Sequence, residues 1–153
     1  MKSVPIKRNI ALQPLSREHH HGLLLSWKIQ TGLKKGIDIE RIKRYSDWFF
    51  KTSLQTHFNI EEDFVFPILG NDHVLVKKAK TDHKRLRRLF DDTTHIENSL
   101  SLLEEELEKH IRFEERVLFP AIEEVANEKE LKLIMEIHSE DSTYEDWGDE
   151  FWK

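Results

Sequence analysis

Two histidine and glutamate pairs, His57 with Glu61 and His110 with Glu114, recur in this chain at the same spacing of four residues. On a helix that spacing projects imidazole and carboxylate from one face at adjacent heights. Their surroundings repeat as well. His57-Phe58-Asn59-Ile60-Glu61-Glu62-Asp63-Phe64-Val65-Phe66-Pro67 aligns with His110-Ile111-Arg112-Phe113-Glu114-Glu115-Arg116-Val117-Leu118-Phe119-Pro120 in a shared H-x-x-x-E-E-x-x-x-F-P pattern. A repeat kept for packing alone would preserve its apolar positions, whereas this one preserves polar residues that point inward. Imidazole and carboxylate offered from facing helices suit a borderline or hard transition metal, and a carboxylate can bridge two ions. A metal-free His/Glu salt-bridge network is the competing arrangement, and it would bury carboxylates at a considerable desolvation cost.

The elements that must position these pairs are helical. Five glycines and four prolines supply too few turns for an all-β domain, and the apolar periodicity is three to four residues. The first stripe runs Leu12, Leu15, His19, Leu23, Ser26, Ile29 and Leu33, and ends at Gly32 to Gly36. A second starts after Asp38 as N-cap and runs Ile42, Ser46, Phe49, Ser53, His57, Ile60 and Phe64. Past Gly70-Asn71-Asp72, a third carries Val76, Ala79, His83, Leu86 and Phe90. Thr94 with Glu97 fits a capping box for the fourth, which runs Ile96, Leu100, Leu103, Leu107, His110, Glu114, Val117 and Ala121. Short connections make this an all-α, up-down-up-down four-helix bundle over residues 10–126. Residues 127–153 form a C-terminal extension packing on it. There Leu131, Ile134, Met135 and His138 suggest a short fifth helix, while Tyr144, Trp147, Phe151 and Trp152 cap the bundle or meet a partner.

The inward stripes of the first and third helices each offer one imidazole. His57 lies thirteen residues before Gly70 and His83 thirteen after it, so both stand about 20 Å from that turn at the rise of an α-helix. His83 and His110 sit unequally about the next turn, and tilt or a climbing loop must absorb about two turns of mismatch. Of His19, His20 and His21, His19 is on the apolar stripe and His20 is the runner-up. His95 belongs to a solvent face, His73 to a surface or capping position, and His138 to the core of the tail.

Composition narrows the chemistry. With nine histidines and no cysteine, thiolate metal sites, iron–sulfur clusters, disulfides and thiol nucleophiles are excluded. A net charge of −5 with interspersed signs disfavours a nucleic-acid partner. No run of about 18 apolar residues is present, so no membrane span is expected. No export signal is recognisable, and a cytoplasmic location follows as the expectation.

Leu15-Ser16-Arg17-Glu18-His19-His20-His21, His57 to Glu62, Asp82-His83 and His110 to Glu115 together resemble a bacterial hemerythrin-like (HHE cation-binding) domain over roughly residues 10 to 126. The resemblance implies a non-haem di-iron centre that binds or reacts with dioxygen, peroxide or nitric oxide. Its implied ligands are His19, His57, Glu61, His83, His110 and Glu114, with the carboxylates bridging. Manganese or zinc are the substitutes such donors accept. Two departures from the oxygen carriers matter. They place a second histidine one turn after the third-helix ligand, where this chain has Arg87, and their last carboxylate falls five residues after its histidine, at Glu115, where the repeat favours Glu114. Metal binding is therefore implied ahead of reversible oxygen carriage, and His20, Glu62 and Glu115 stand next in line for any vacant position. The expected chemistry is small-oxidant sensing, storage or detoxification, with ferroxidase or peroxide turnover, or a metal-free helical interaction module, as alternatives.

Overall fold

A computed structural model describes residues 8–137 and 147–153, and His138 and Tyr144 lie outside them. Among the described residues the secondary structure is helical throughout. Four rods form the bundle. The first is α1 (Gln13–Lys34). The second is a composite of α2 (Ile39–Phe49), π1 (Phe50–Leu54), α3 (Gln55–Ile60), π2 (Glu61–Val65) and α4 (Phe66–Leu69). The third is α5 (Val74–Asp91). The fourth joins α6 (Ile96–Phe113), π3 (Glu114–Leu118) and α7 (Phe119–Val125), and a separate α8 (Glu128–Ile137) follows. α1 packs against α2 and α6, α5 packs against the same two, and the second and fourth rods also meet, α2 with α6 and α4 with α7. No described helix is long and apolar enough to cross a membrane.

The turns carry the chemistry expected of them. Gly36 and Gly70 have φ of 68° and 105°, left-handed conformations that side chains resist, and they end the first and second rods. Asp38 accepts a hydrogen bond from the Glu40 amide, and His73 caps α5 by accepting one from the Leu75 amide. The expected capping box at Thr94 does not form. Asp92 takes that role, accepting from the Thr94 and His95 amides at 3.2 and 3.1 Å and from Ser99 Oγ at 2.5 Å. Its charge suits a helix N-terminus better than a threonine hydroxyl does. The loop between Asp91 and Ile96 has four non-helical residues, whose reach of up to about 13 Å is comparable with the two-turn mismatch between the third and fourth rods.

The π segments correct the sequence reading in one respect. In π2 and π3 the amides of Phe66 and Phe119 donate to the carbonyls of Glu61 and Glu114, five residues back. Pro67 and Pro120 follow at once, and neither has the amide hydrogen an α-helical bond to residue 63 or 116 would need. The wider turn inserts one residue. Val65, Leu118 and Ile122 therefore point inward at 0 % exposure, while the expected Phe64 and Val117 are 37 % and 44 % exposed.

Two apolar cores result. One gathers Leu25, Ile29, Leu103, Leu107 and Ile111, and the other Leu12, Leu15, Val65, Phe66, Leu118 and Phe119. Between them lies a layer of buried polar side chains: His19, His57, Glu61, His83, His110 and Glu114. The tail closes the first core. Phe151 is buried against Gly32, where an added Cβ would meet the phenylalanine ring at 2.8 Å and Ile42 Cδ1 at 2.9 Å. Gly32→Ala should therefore push Phe151 out of its seat at an overpacking cost of about 1–3 kcal/mol. At about 2–4 °C per kcal/mol for a chain of this size, calorimetry should show a lower Tm, and the fluorescence of Trp147 and Trp152 should shift to the red. An unchanged Tm and spectrum would mean that the tail does not depend on this notch.

Candidate metal centre

All six residues expected at the centre converge in the polar layer. His19 comes from α1, His57 and Glu61 from the second rod, His83 from α5, and His110 and Glu114 from the fourth rod. They divide into two overlapping groups, His19, His57, Glu61, Glu114 and Glu61, His83, His110, Glu114, each with ligand atoms within 4.8 Å of one another. Both groups share Glu61 and Glu114. Nε2 of His57 and of His83 stand 3.3 and 3.2 Å from the same Glu61 oxygen, and Nε2 of His110 stands 3.4 Å from Glu114. His19 Nε2 reaches Glu114 at 2.8 Å.

The centre is unsatisfied as a hydrogen-bonding arrangement. Both Glu61 oxygens, Glu114 Oε2, His83 Nε2 and His110 Nε2 are buried and have no hydrogen-bond partner among the described residues. Each orphaned polar atom costs on the order of 1–3 kcal/mol, more where it is charged. Five in one layer of a four-rod bundle are what a pair of cations would satisfy. Two His/Glu clusters are thus positioned to chelate a di-metal centre, with nitrogen and oxygen donors that fit a borderline or hard ion.

The opposite edge of every imidazole is held by a carboxylate. Nδ1 of His57 donates to Glu18 at 2.8 Å, His19 to Glu115 at 2.8 Å, His83 to Glu62 at 2.6 Å and His110 to Asp82 at 3.0 Å. A carboxylate only accepts, so each Nδ1 keeps its proton and each Nε2 is turned toward the centre. The pattern is reciprocal. Glu18 and Asp82 each precede a ligand on the first or third rod and hold the imidazole of the next rod. Glu62 and Glu115 each follow a shared glutamate and hold the imidazoles of α5 and α1. Rod to rod, these bonds make a closed belt. Ser16 Oγ donates to Glu115 at 2.8 Å, Arg87 to Glu62 at 2.7 Å and Lys78 to Asp82 at 2.8 Å, steadying these carboxylates in turn.

The residues left open by the sequence stand outside the shared centre in this arrangement. Glu62 and Glu115 face the outer edges of His83 and His19 instead of the shared centre, and His20 is exposed. Arg87, at the position of the carriers' extra histidine, clamps Glu62 and Asn59. The holding roles of Glu18 and Asp82 escaped the sequence reading. Their signal was an acidic residue immediately before the inward histidine on both the first and third helices, a second repeat beside the one in the other two.

Aromatic rings complete the walls. Phe58 stacks on His83 with centroids 3.9 Å apart, and Phe119 stacks on His19 at 5.2 Å. Burial pulls the pKa of His57 down, but the charge of Glu61 and the bond to Glu18 outweigh it and hold it at about 9. Burial is likewise outweighed at His110, by Glu114 and Asp82, giving about 9. His19 is also raised, against burial, by Glu114 and Glu115. Burial raises Glu61, yet the neighbouring imidazoles bring it well below the usual carboxylate range.

A pH dependence follows. Folded pKa values above the ordinary 6.5 stabilise the metal-free protein below that value, and the contribution is lost as pH rises through about 9. Thermal melts of metal-free protein should show Tm falling between pH 7 and 10. Because metal ligands must be neutral imidazoles, divalent metal added at pH 7 in weak buffer should release protons. Pairing a flat melting profile with proton-neutral metal binding would show that these histidines are already uncharged.

The Hemerythrin HHE cation binding domain model matches residues 74–144. No curated protein and no solved structure matches the chain. The matched stretch contains His83, His110 and Glu114, and the geometry supplies their counterparts from the first half: a hemerythrin HHE-like domain covers part of this chain.

Proposed function

We propose that the chain is a cytoplasmic di-iron protein in which residues 10–126 hold two non-haem iron ions for binding or reacting with dioxygen, peroxide or nitric oxide. The ligands in this reading are His19 and His57 for one ion, His83 and His110 for the other, and Glu61 and Glu114 for both. The observation that carries it is the pair of buried carboxylates shared by two imidazole groups with their polar atoms unpartnered. Bound ferrous iron would supply electrons to a small oxidant. The chain's own residues do the rest. Glu18, Glu62, Asp82 and Glu115 orient the imidazoles and keep a proton on each Nδ1, while Phe58, Phe66 and Phe119, all almost fully buried, exclude water from the layer. Two imidazoles and two shared carboxylates per ion leave coordination positions for an exogenous ligand, which favours sensing, storage or detoxification and permits turnover.

The test is anaerobic loading with ferrous iron followed by air. Two irons per chain and visible absorption that bleaches on reduction are expected. Protein that stays colourless and iron-free after loading would sink the proposal. Stopped-flow measurement of repeated peroxide consumption separates turnover from stoichiometric binding, and manganese and zinc loading compares the metals.

A further inference from the structure

A second site lies away from the polar layer, where the C-terminal strap, residues 147–153, meets α1 and α2. A cavity of about 500 Å³ opens between Lys28, Tyr45, Trp48, Trp147, Trp152 and Glu150, within the range of small-molecule pockets. Its walls are flat rings: Trp48 and Trp147 lie with centroids 5.0 Å apart, and Tyr45 and Trp152 5.2 Å apart. Lys28 projects into this aromatic box. Its ammonium sits 4.0 Å over the Trp152 ring and 5.2 Å over Tyr45, and donates to Tyr45 Oη at 3.0 Å.

What Lys28 lacks is a paired carboxylate. No carboxylate stands within ion-pair distance of Lys28 among the described residues, and Glu150 acts on it only at longer range while pairing with Lys153 at 2.9 Å. Two of the three ammonium hydrogens are left to ring faces and the cavity. Burial keeps the Tyr45 phenol protonated, with a pKa pushed up to about 12, so its O–H is a further donor. Trp147 Nε1–H, shielded from solvent, has no acceptor among the described residues. A second cation would be repelled, because the ring faces that attract cations are already engaged by Lys28. A flat ring can stack on the indoles, and an anionic oxygen can take the ammonium hydrogens that no protein oxygen takes.

We propose that this cavity is a binding site for a planar aromatic carboxylate, its ring stacked on an indole face that borders the cavity and its carboxylate on Lys28 Nζ. The site is independent of the metal centre and goes beyond the oxidant chemistry proposed there. Binding would also tie the strap to the bundle, since Trp147 and Trp152 come from the strap and Lys28, Tyr45 and Trp48 from α1 and α2.

The probe is 2-naphthoate, with neutral 2-naphthamide as its isostere, titrated into the full-length chain by calorimetry and tryptophan fluorescence. Saturable one-to-one binding of the acid, at least about tenfold tighter than the amide, is expected from a charge-assisted hydrogen bond in a partly buried box. Lys28→Met should abolish the difference between acid and amide. Glu150→Gln, an exposed change that removes the carboxylate acting on Lys28 from among the described residues, should strengthen the acid several-fold. Trp27→Phe should leave the quenching intact, since Trp27 is 51 % exposed and does not line the cavity. Equal affinity for acid and amide in the unmodified protein, or no saturable binding, overturns the proposal without reference to any variant's folding. Metal-free and iron-loaded protein should bind the probe alike, so failure here and failure of the di-iron reading are separately visible.

Discussion

Glu61→Ala should reduce iron loading from two ions per chain to one or none, because Glu61 is shared by both donor groups and lies 3.2–3.3 Å from the Nε2 atoms of His57 and His83. The thermal consequence should be large. A ligand present at a thousand times its dissociation constant stabilises the native state by about 4 kcal/mol, or about 8–16 °C in Tm at 2–4 °C per kcal/mol. Unmodified protein should show a rise of that order on loading, and Glu61→Ala should lose most of it. Elemental analysis and calorimetry on the same sample check both halves. Two tightly bound irons in the variant, with the full rise in Tm, would contradict the assignment of Glu61 as a shared ligand.

The second large effect belongs to the outer carboxylates. Glu18→Gln and Asp82→Asn keep size and shape but replace a charged acceptor with an amide at the Nδ1 edges of His57 and His110. Loss of such a partner typically weakens metal binding 10- to 100-fold. The arrangement adds a directional expectation: Glu18→Gln should affect the ion held by His19 and His57, and Asp82→Asn the one held by His83 and His110. Competition titration with a chromophoric chelator should then resolve one weakened step and one nearly native step in each variant. Two native steps in both variants would assign these acids a packing role only.

Much of this is legible in the sequence. Helical periodicity found the rods, and the H-x-x-x-E-E repeat found the layer, because a polar residue on an apolar stripe is conspicuous. His83 was placed level with His57 by counting from Gly70, and the two share a Glu61 oxygen. What escaped depended on departures from a uniform helix or on contacts between rods. A stripe continued at α-helical spacing past Glu61 and Glu114 leads to Phe64 and Val117; a π turn moves the inward positions to Val65 and Leu118. Asp92 replaced Thr94 at the start of α6 because one carboxylate can accept two amides and a hydroxyl there. The outer carboxylates sit on rod flanks, where an acidic residue looks like any solvated charge until its partner on the next rod is known.

The belt of imidazole and carboxylate bonds has a kinetic meaning. Each bond joins a different adjacent pair of rods, from first to second, second to third, third to fourth and fourth back to first. Such a hoop has no free end from which to unravel, and detaching any one rod breaks two of its links together. A partly folded chain holding three rods would lack both a belt and a complete pair of donor groups. Iron should therefore leave only as fast as a whole rod swings away, and its release rate should track the opening rate of the bundle measured by amide hydrogen exchange. Retention of the metal becomes a property of the fold's slowest motion, with the strength of individual metal bonds secondary to it.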